Sequence, residues 1–305
     1  MPLREVADIP LGGHPTRFDY ASYDARRHLL FMAHLGDSTV VVFDTTAQRV
    51  IARIPDISKV HGVLVIPQLG RVYASATGSN QVVAIDEDTL KVIARAPAGI
   101  YPDGMAYAPA EHKLYVSDEQ GDTDTVIDVR TNQRVATIAL GGDVGNTQYD
   151  PVTGHVFANV QTRRQLVEID PSVDRVISRI DLPGARGNHG LLIDPSSRLA
   201  FIACEDNNKL LVLNMASRRV VASFEVGGDP DVLAIDPDLG WVYVASESGI
   251  VSIFKLRHGR VSKLGQALLG PNAHVVVVDP ATHLAYFPLK NFHGQPVLRI
   301  MSAIH

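Results

Sequence analysis

Between Ile100 and Gly141 the chain sets four apolar runs, Met105–Ala108, Lys113–Ser117, Thr125–Val129 and Arg134–Leu140, between breaks rich in Pro, Gly, Asp and Asn. Apolar runs of this length, bounded by such residues, predict short strands joined by tight turns. The same phrase recurs along the chain. Pro109 closes its first run, and Pro67, Pro151, Pro195, Pro237 and Pro280 stand in equivalent places, with Ala25 in the remaining one. Neighbouring anchors are 42 to 44 residues apart, and each precedes an aromatic-bearing strand: LLFMAH, RVYASA, KLYVSD, HVFANV, LAFIAC, WVYVAS and LAYFPL.

Seven units of four strands, repeating near every 42 residues, predict an all-β, seven-bladed β-propeller built as a single domain over residues 1–305. One blade cannot bury both of its faces alone, so the blades must stack around a common axis. Fourth strands follow six anchors, at Arg49–Ile54, Lys91–Ala96, Arg134–Ala139, Arg175–Ile180, Arg219–Val226 and Arg260–Leu268. The last unit ends after its third strand, Val297–Met301. Leu3–Ile9 is therefore expected to complete that blade and close the ring, leaving no open sheet edge.

The repeat phrase carries P-x-G at the first strand, Y-V-[AS] in the second and V-V-x-I-D in the third. Pro102, Gly104, Pro109, Tyr115, Val116 and Asp128 show it in one unit, with His61-Gly62, Tyr73, Asp86, His189-Gly190, Tyr243 and Val244 elsewhere. In this the chain resembles the YVTN-repeat (YncE-like) family of bacterial seven-bladed propellers over essentially its whole length. The resemblance implies a fold; it does not select a function, because propellers host enzymes and binding proteins alike.

Composition narrows the partners. A net charge of −5, with basic residues spread around the repeats, argues against nucleic acid. No apolar run is long enough for a membrane span. The lone Cys204 is expected to be buried and inert. No basic segment followed by an apolar one stands at the N-terminus, so no signal peptide is expected in this chain. A periplasmic or secreted location would follow if a leader had been removed, and a cytoplasmic one otherwise. A monomer is expected. The serine-nucleophile elbow, the P-loop, H-E-x-x-H and C-x-x-C are absent from the sequence. Asp118, Asp122 and Asp124 only superficially suggest a calcium loop, lacking its full spacing and terminal Glu.

In a propeller, residues at one repeat position converge in space. Six residues before each anchor stand Asp19, His61, Asp103, Gly145, His189, Asp231 and His274, with Asn146 beside the small member. These positions open the innermost strand, so they should form a polar ring at one mouth of the channel. Segments just after them, such as Val63–Val65, Leu191–Ile193 and Val275–Val277, read as packing between blades. His61, His189 and His274 approach from three directions. They are expected to hold a divalent transition metal ion (Zn, Mn, Fe, Ni or Cu), with Asp19, Asp103 or Asp231 as a further ligand or as tautomer-fixing acceptors.

Loops between second and third strands should rim the same mouth. Glu119, Glu205 and Glu247 align there as candidate general bases. His34, Arg17, Tyr20, Tyr101, Asn146 and Arg186 are candidates to contact a ligand. His28, His112, His155 and His283 fall on the opposite face as exposed turn residues. Two functions follow from these expectations. One is a metal-dependent enzyme, most simply a hydrolase or lactonase, acting on a small molecule at the mouth. The other is a non-catalytic propeller presenting its rim to a peptide, glycan or partner protein.

Overall fold

The computed structural model describes residues 2–304. Seven four-stranded antiparallel sheets form the ring of a seven-bladed β-propeller. The third blade runs outward through Pro102–Ala108, Lys113–Asp118, Thr123–Asp128 and Gln133–Ala139, each strand hydrogen-bonded to the next. Expected and observed fourth strands coincide at Arg49–Ile54 and at Arg260–Leu268, and differ elsewhere by a residue at either end.

The outermost strand of the last blade is the N-terminal one. Leu3–Pro10 pairs antiparallel with Gln295–Ala303, from Leu3 opposite Ala303 to Pro10 opposite Val297, with an irregularity between Glu5 and Ala7. The Arg299 guanidinium clasps the junction, donating from Nε to Asp8 Oδ1 at 2.8 Å and from Nη2 to Asp8 Oδ2 at 2.5 Å. Its face also lies over the Phe292 ring.

The aromatic of every second strand, Phe31, Tyr73, Tyr115, Phe157, Phe201, Tyr243 or Tyr286, is buried in the core between blades. Each contributes about 1.5–3 kcal/mol of burial. Some hydroxyls then stitch one blade to the next. Tyr73 donates to Asn132 Oδ1 at 2.7 Å, and Tyr115 to Asp174 Oδ1 at 2.5 Å.

Two expectations for the face opposite the polar ring change here. His155 and His283 are half-buried and paired, His155 Nδ1 at 2.8 Å from Glu168 Oε1 and His283 Nδ1 at 2.8 Å from Asp236 Oδ2. The carboxylates they meet are buried inside the blades, and these imidazoles reach in to satisfy them. Asp118 and Asp124 do not form an ion loop either. Asp118 accepts from Gly99 N, Thr123 Oγ1 and Thr125 Oγ1, while Asp124 is fully buried against Thr147. Cys204 is buried as expected, and burial pushes its thiol up to about 12.

Candidate functional site

The innermost strands explain how the ring residues reach the axis. In five blades the pairing of first and second strands slips at one place: between Val60 and Val63, Pro102 and Met105, Val144 and Thr147, Asn188 and Leu191, and Pro230 and Leu233. The slip releases His61, Asp103, Gly145, His189 and Asp231 from the ladder and turns these residues inward. In the first and last blades the inner strand is short, Ala21–Asp24 and Val277–Asp279, and begins after Asp19 and His274.

A pocket of about 210 Å³ opens at this mouth. Its walls carry Asp19, His61, Asp103, His189 and Asp231 from the ring, Glu119, Glu205 and Glu247 from the loops, and Arg17, Tyr101 and Asp229. His274 lies just behind, fully buried, with Nε2 at 3.4 Å from Asp19 Oδ1 and 3.8 Å from Asp231 Oδ2. The pocket therefore holds seven carboxylates against one guanidinium and the imidazoles.

The three imidazoles do not meet at a common point. Among the described residues, two sets of ligand atoms lie within 4.8 Å of one another: Asp19, Asp231 and His274, and His189, Glu205 and Asp231. Each holds one imidazole and two carboxylates. His61 belongs to neither. Its Nε2 faces the Tyr101 hydroxyl at 3.0 Å and Asp19 Oδ2 at 3.5 Å, and its Nδ1 faces the Lys59 carbonyl at 2.8 Å.

The two sets differ in how their charge is balanced. Arg17 donates to Asp19 Oδ1 at 3.3 Å, lies 3.9 Å from Asp231 Oδ2 and pairs with Glu247 through its other terminal nitrogen. Burial alone would push Asp19 up, yet its hydrogen bond to His274 and the charges of Arg17 and His61 hold it well below the usual carboxylate range. The other set meets Arg17 only through Asp231, at 3.9 Å. Burial pushes Glu205 up to about 8 and Asp231 up to about 6, with His189 only partly offsetting it in both. Burial also raises Glu119, which accepts a hydrogen bond from Gln161 Nε2 at 3.4 Å. Although burial opposes it, His189 is held well above the usual imidazole range by Glu205, Asp103 and Asp231. Asp103 Oδ1 is buried in the same pocket without a hydrogen-bond partner.

Other sequence candidates separate sharply. Tyr20 and Asn146 lie beneath the pocket and line the chamber below it, joined by a hydrogen bond of 2.9 Å from the Tyr20 hydroxyl to Asn146 Oδ1. His34 is not in the pocket. It is fully buried, stacked on Phe18 at 4.1 Å, with Nε2 at 3.0 Å from Thr16 Oγ1, so its ring serves the packing of the first blade. Arg186 is exposed and lines none of the pocket wall. Below the ring, Val63, Leu64, Leu191 and Val276 line the axial chamber and also pack between blades, as Val65, Ile193 and Val275 do.

Sequence reasoning missed Asp229 and Gln161. Asp229 stands two residues before Asp231, as Arg17 does before Asp19 and Tyr101 before Asp103, so a second repeat position feeds this pocket. Tyr101 and Asp229 both adopt left-handed backbone there, with φ of 61° and 58°, which swings each over the mouth.

Neither a protein-family model nor a curated protein matches the chain. Among solved structures, a chain of Kuenenia stuttgartiensis hydrazine synthase is similar at 16% identity and a TM-score of 0.80, over 98% of this chain and 97% of that one. That likeness shows the fold. It reaches no further, and the resemblance to the YVTN-repeat family rests on the repeat phrase alone.

Proposed function

We propose that the mouth pocket binds a divalent transition metal ion (Zn, Mn, Fe, Ni or Cu) through His189, Glu205 and Asp231, and that the protein is a metal-dependent enzyme acting on a small polar molecule. The observation that carries the reading is the imbalance between the two ligand sets. Arg17 pairs with Asp19 at 3.3 Å and is more distant from Asp231, whereas half-buried Glu205 and buried Asp231 are both raised by burial and repel one another, which a cation between them would relieve. The buried, unpartnered Asp103 Oδ1 faces the same space. An imidazole with two carboxylates is a donor set that suits these ions.

Such an ion supplies an acidified water or a polarised carbonyl. The surrounding residues divide the remaining work. Glu119, half-buried and raised by that burial, is placed to take a proton as general base. Glu247 is committed to Arg17, and Glu205 to the ion, which narrows three aligned glutamates to one base. Apart from the Tyr101 ring the walls are charged or imidazole, and carboxylates predominate. A neutral or cationic polar substrate fits this lining, and an anionic one is repelled. Hydrolysis of an ester or lactone is the simplest chemistry these parts support.

The reading is tested by elemental analysis of untagged protein after reconstitution with each of the five metals, alongside His189→Ala, Glu205→Gln and Glu119→Gln. Wild type should carry stoichiometric metal, the first two variants should lose it, and Glu119→Gln should keep it while hydrolysing a lactone panel more slowly. Wild type that binds none of the five metals would overturn the site and leave a propeller that presents its rim to a peptide, glycan or protein.

A further inference from the structure

One residue below the polar ring, the repeat position reads Tyr20, Gly62, Gly104, Asn146, Gly190, Val232 and Val275. Six of these are small or modest, and packing enforces it at the glycines. A Cβ on Gly62 would stand 2.1 Å from the Asp103 carbonyl oxygen, and one on Gly104 2.3 Å from Asn146 Oδ1. The exception is Tyr20. From the first blade its side chain crosses the axis and brings its hydroxyl to 2.9 Å from Asn146 Oδ1, 3.2 Å from His189 Nε2 and 3.3 Å from Asp231 Oδ1. Those partners come from the fourth, fifth and sixth blades. Beneath it lies a second chamber of about 150 Å³, which Tyr20 and Asn146 themselves help to line. The hydrogen-bonded Tyr20 and Asn146 thus stand between the ring and this lower chamber.

We propose that Tyr20 is the positioning residue of the cation site, a bar across the channel whose hydroxyl fixes which nitrogen of His189 faces the ion. The proposal rests on the reading of His189, Glu205 and Asp231 as ligands. A tyrosine hydroxyl has one proton to give. Given to Asn146 Oδ1, the nearest acceptor, it leaves the oxygen free to accept from His189 Nε2–H. In the neutral, ion-binding ring Nε2 then keeps its proton, and Nδ1, which faces Gln161 Nε2 at 3.0 Å in the structure, is the nitrogen whose lone pair the ion would take over from that amide. Nδ1 is also the nitrogen on the Glu205 side, 3.8 Å from Glu205 Oε1. The same hydroxyl borders Asp231 Oδ1, so one group holds two of the three ligands from behind, as hydrogen-bonded neighbours of metal ligands commonly do.

The test uses metal-free, full-length protein titrated with Zn²⁺ and, separately, with Co²⁺ for its visible absorption. Tyr20→Phe keeps the ring across the channel and removes only the hydroxyl. Its metal-free melting temperature should match wild type, its Zn²⁺ affinity should fall about 10- to 100-fold, and its Co²⁺ spectrum should shift. Asn146→Leu removes the acceptor that orients the hydroxyl and should move affinity and spectrum in the same direction. If Tyr20→Phe is unstable, this second variant decides alone. Wild type that binds metal while both folded variants bind it equally well, with an unchanged Co²⁺ spectrum, overturns the positioning role and leaves the site standing. Wild type that binds neither ion overturns both.

Discussion

Arg17 behaves as a tethered cation, and removing it should create a second metal position. Its Nη2 stands 3.3 Å from Asp19 and 3.9 Å from Asp231, two of the three groups in the set completed by His274. At an effective dielectric of about 20, unit charges at these distances attract by about 5 and about 4 kcal/mol. The Arg17 side chain keeps 38% of its surface in water, so solvent screening matters. Screening leaves about 1–3 kcal/mol for a half-exposed cation facing two buried carboxylates, equivalent to roughly 5- to 150-fold in the affinity of a competing cation. Arg17→Met keeps the length of the side chain and removes the charge. Calorimetric titration with Zn²⁺, checked by elemental analysis, should then read one ion per chain for wild type and two for Arg17→Met. The second ion should disappear in Arg17→Met/His274→Ala, while the first stays. A variant that still binds one ion at saturating Zn²⁺ would refute the idea that the guanidinium occupies a cation position.

Two further perturbations probe the scaffold. Removing Leu3–Pro10 strips the outer strand from the last blade and leaves Arg299, a mostly buried guanidinium, without Asp8. The melt should broaden and fall, with aggregation through the exposed Gln295–Ala303 edge; a truncated protein that melts as sharply and as high as the full chain defeats the closure argument. Asp124 offers a pH test, because burial first and the charge of Asp118 second push it up to about 8. The folded state then binds a proton that the unfolded chain has released, so stability is greatest near and below the ordinary carboxylate value and declines as pH climbs towards 8. The interval from 3.8 to about 8 corresponds to on the order of 5 kcal/mol. Asp124→Asn should flatten this decline and melt higher than wild type at about pH 9, and thermal melts of the two proteins that stay parallel across the range would count against a buried neutral acid.

The fold could be read early because a propeller repeats its packing problem. Pro109 and its equivalents mark the same turn in successive blades, and the aromatic that follows must fill the same inter-blade space, so period and strand number come from the order of residues along the chain. The missing fourth strand of the last unit and the surplus one at Leu3 fit together for the same reason. Side-chain direction in irregular segments is another matter. His34 and Glu119 lie close to equivalent loops, but His34 ends a strand and turns inward onto Phe18, whereas Glu119 begins the 3-10 turn and reaches the pocket. Arg186 and Arg17 both lie just ahead of a ring residue, and only Arg17 meets carboxylates that hold it over the mouth. Such choices depend on partners contributed by other blades.

The ring itself shows how repeat order shapes chemistry. From the first blade to the seventh it reads Asp, His, Asp, Gly, His, Asp, His, so no two histidines are neighbours even across the closure. His61 and His274 both turn to Asp19, at 3.5 and 3.4 Å, and His189 and His274 both turn to Asp231, at 3.7 and 3.8 Å. Adjacent blades thus pair each imidazole with a carboxylate before a second imidazole can come close. A three-histidine centre is thereby traded for mixed sets joined through Asp231. The one break in the alternation is Gly145, where the ring has no side chain to offer. His189 uses that gap, reaching past its neighbouring blade to Asp103 at 3.5 Å and meeting the Tyr20 hydroxyl below. Placing a serine or alanine at Gly145 is barred by the backbone of the next blade, since a Cβ there would sit 2.7 Å from His189 Cα. The gap that frees His189 is therefore built into the packing of the fourth blade on the fifth, and the position of the proposed ligand is set by the fold as much as by its own side chain.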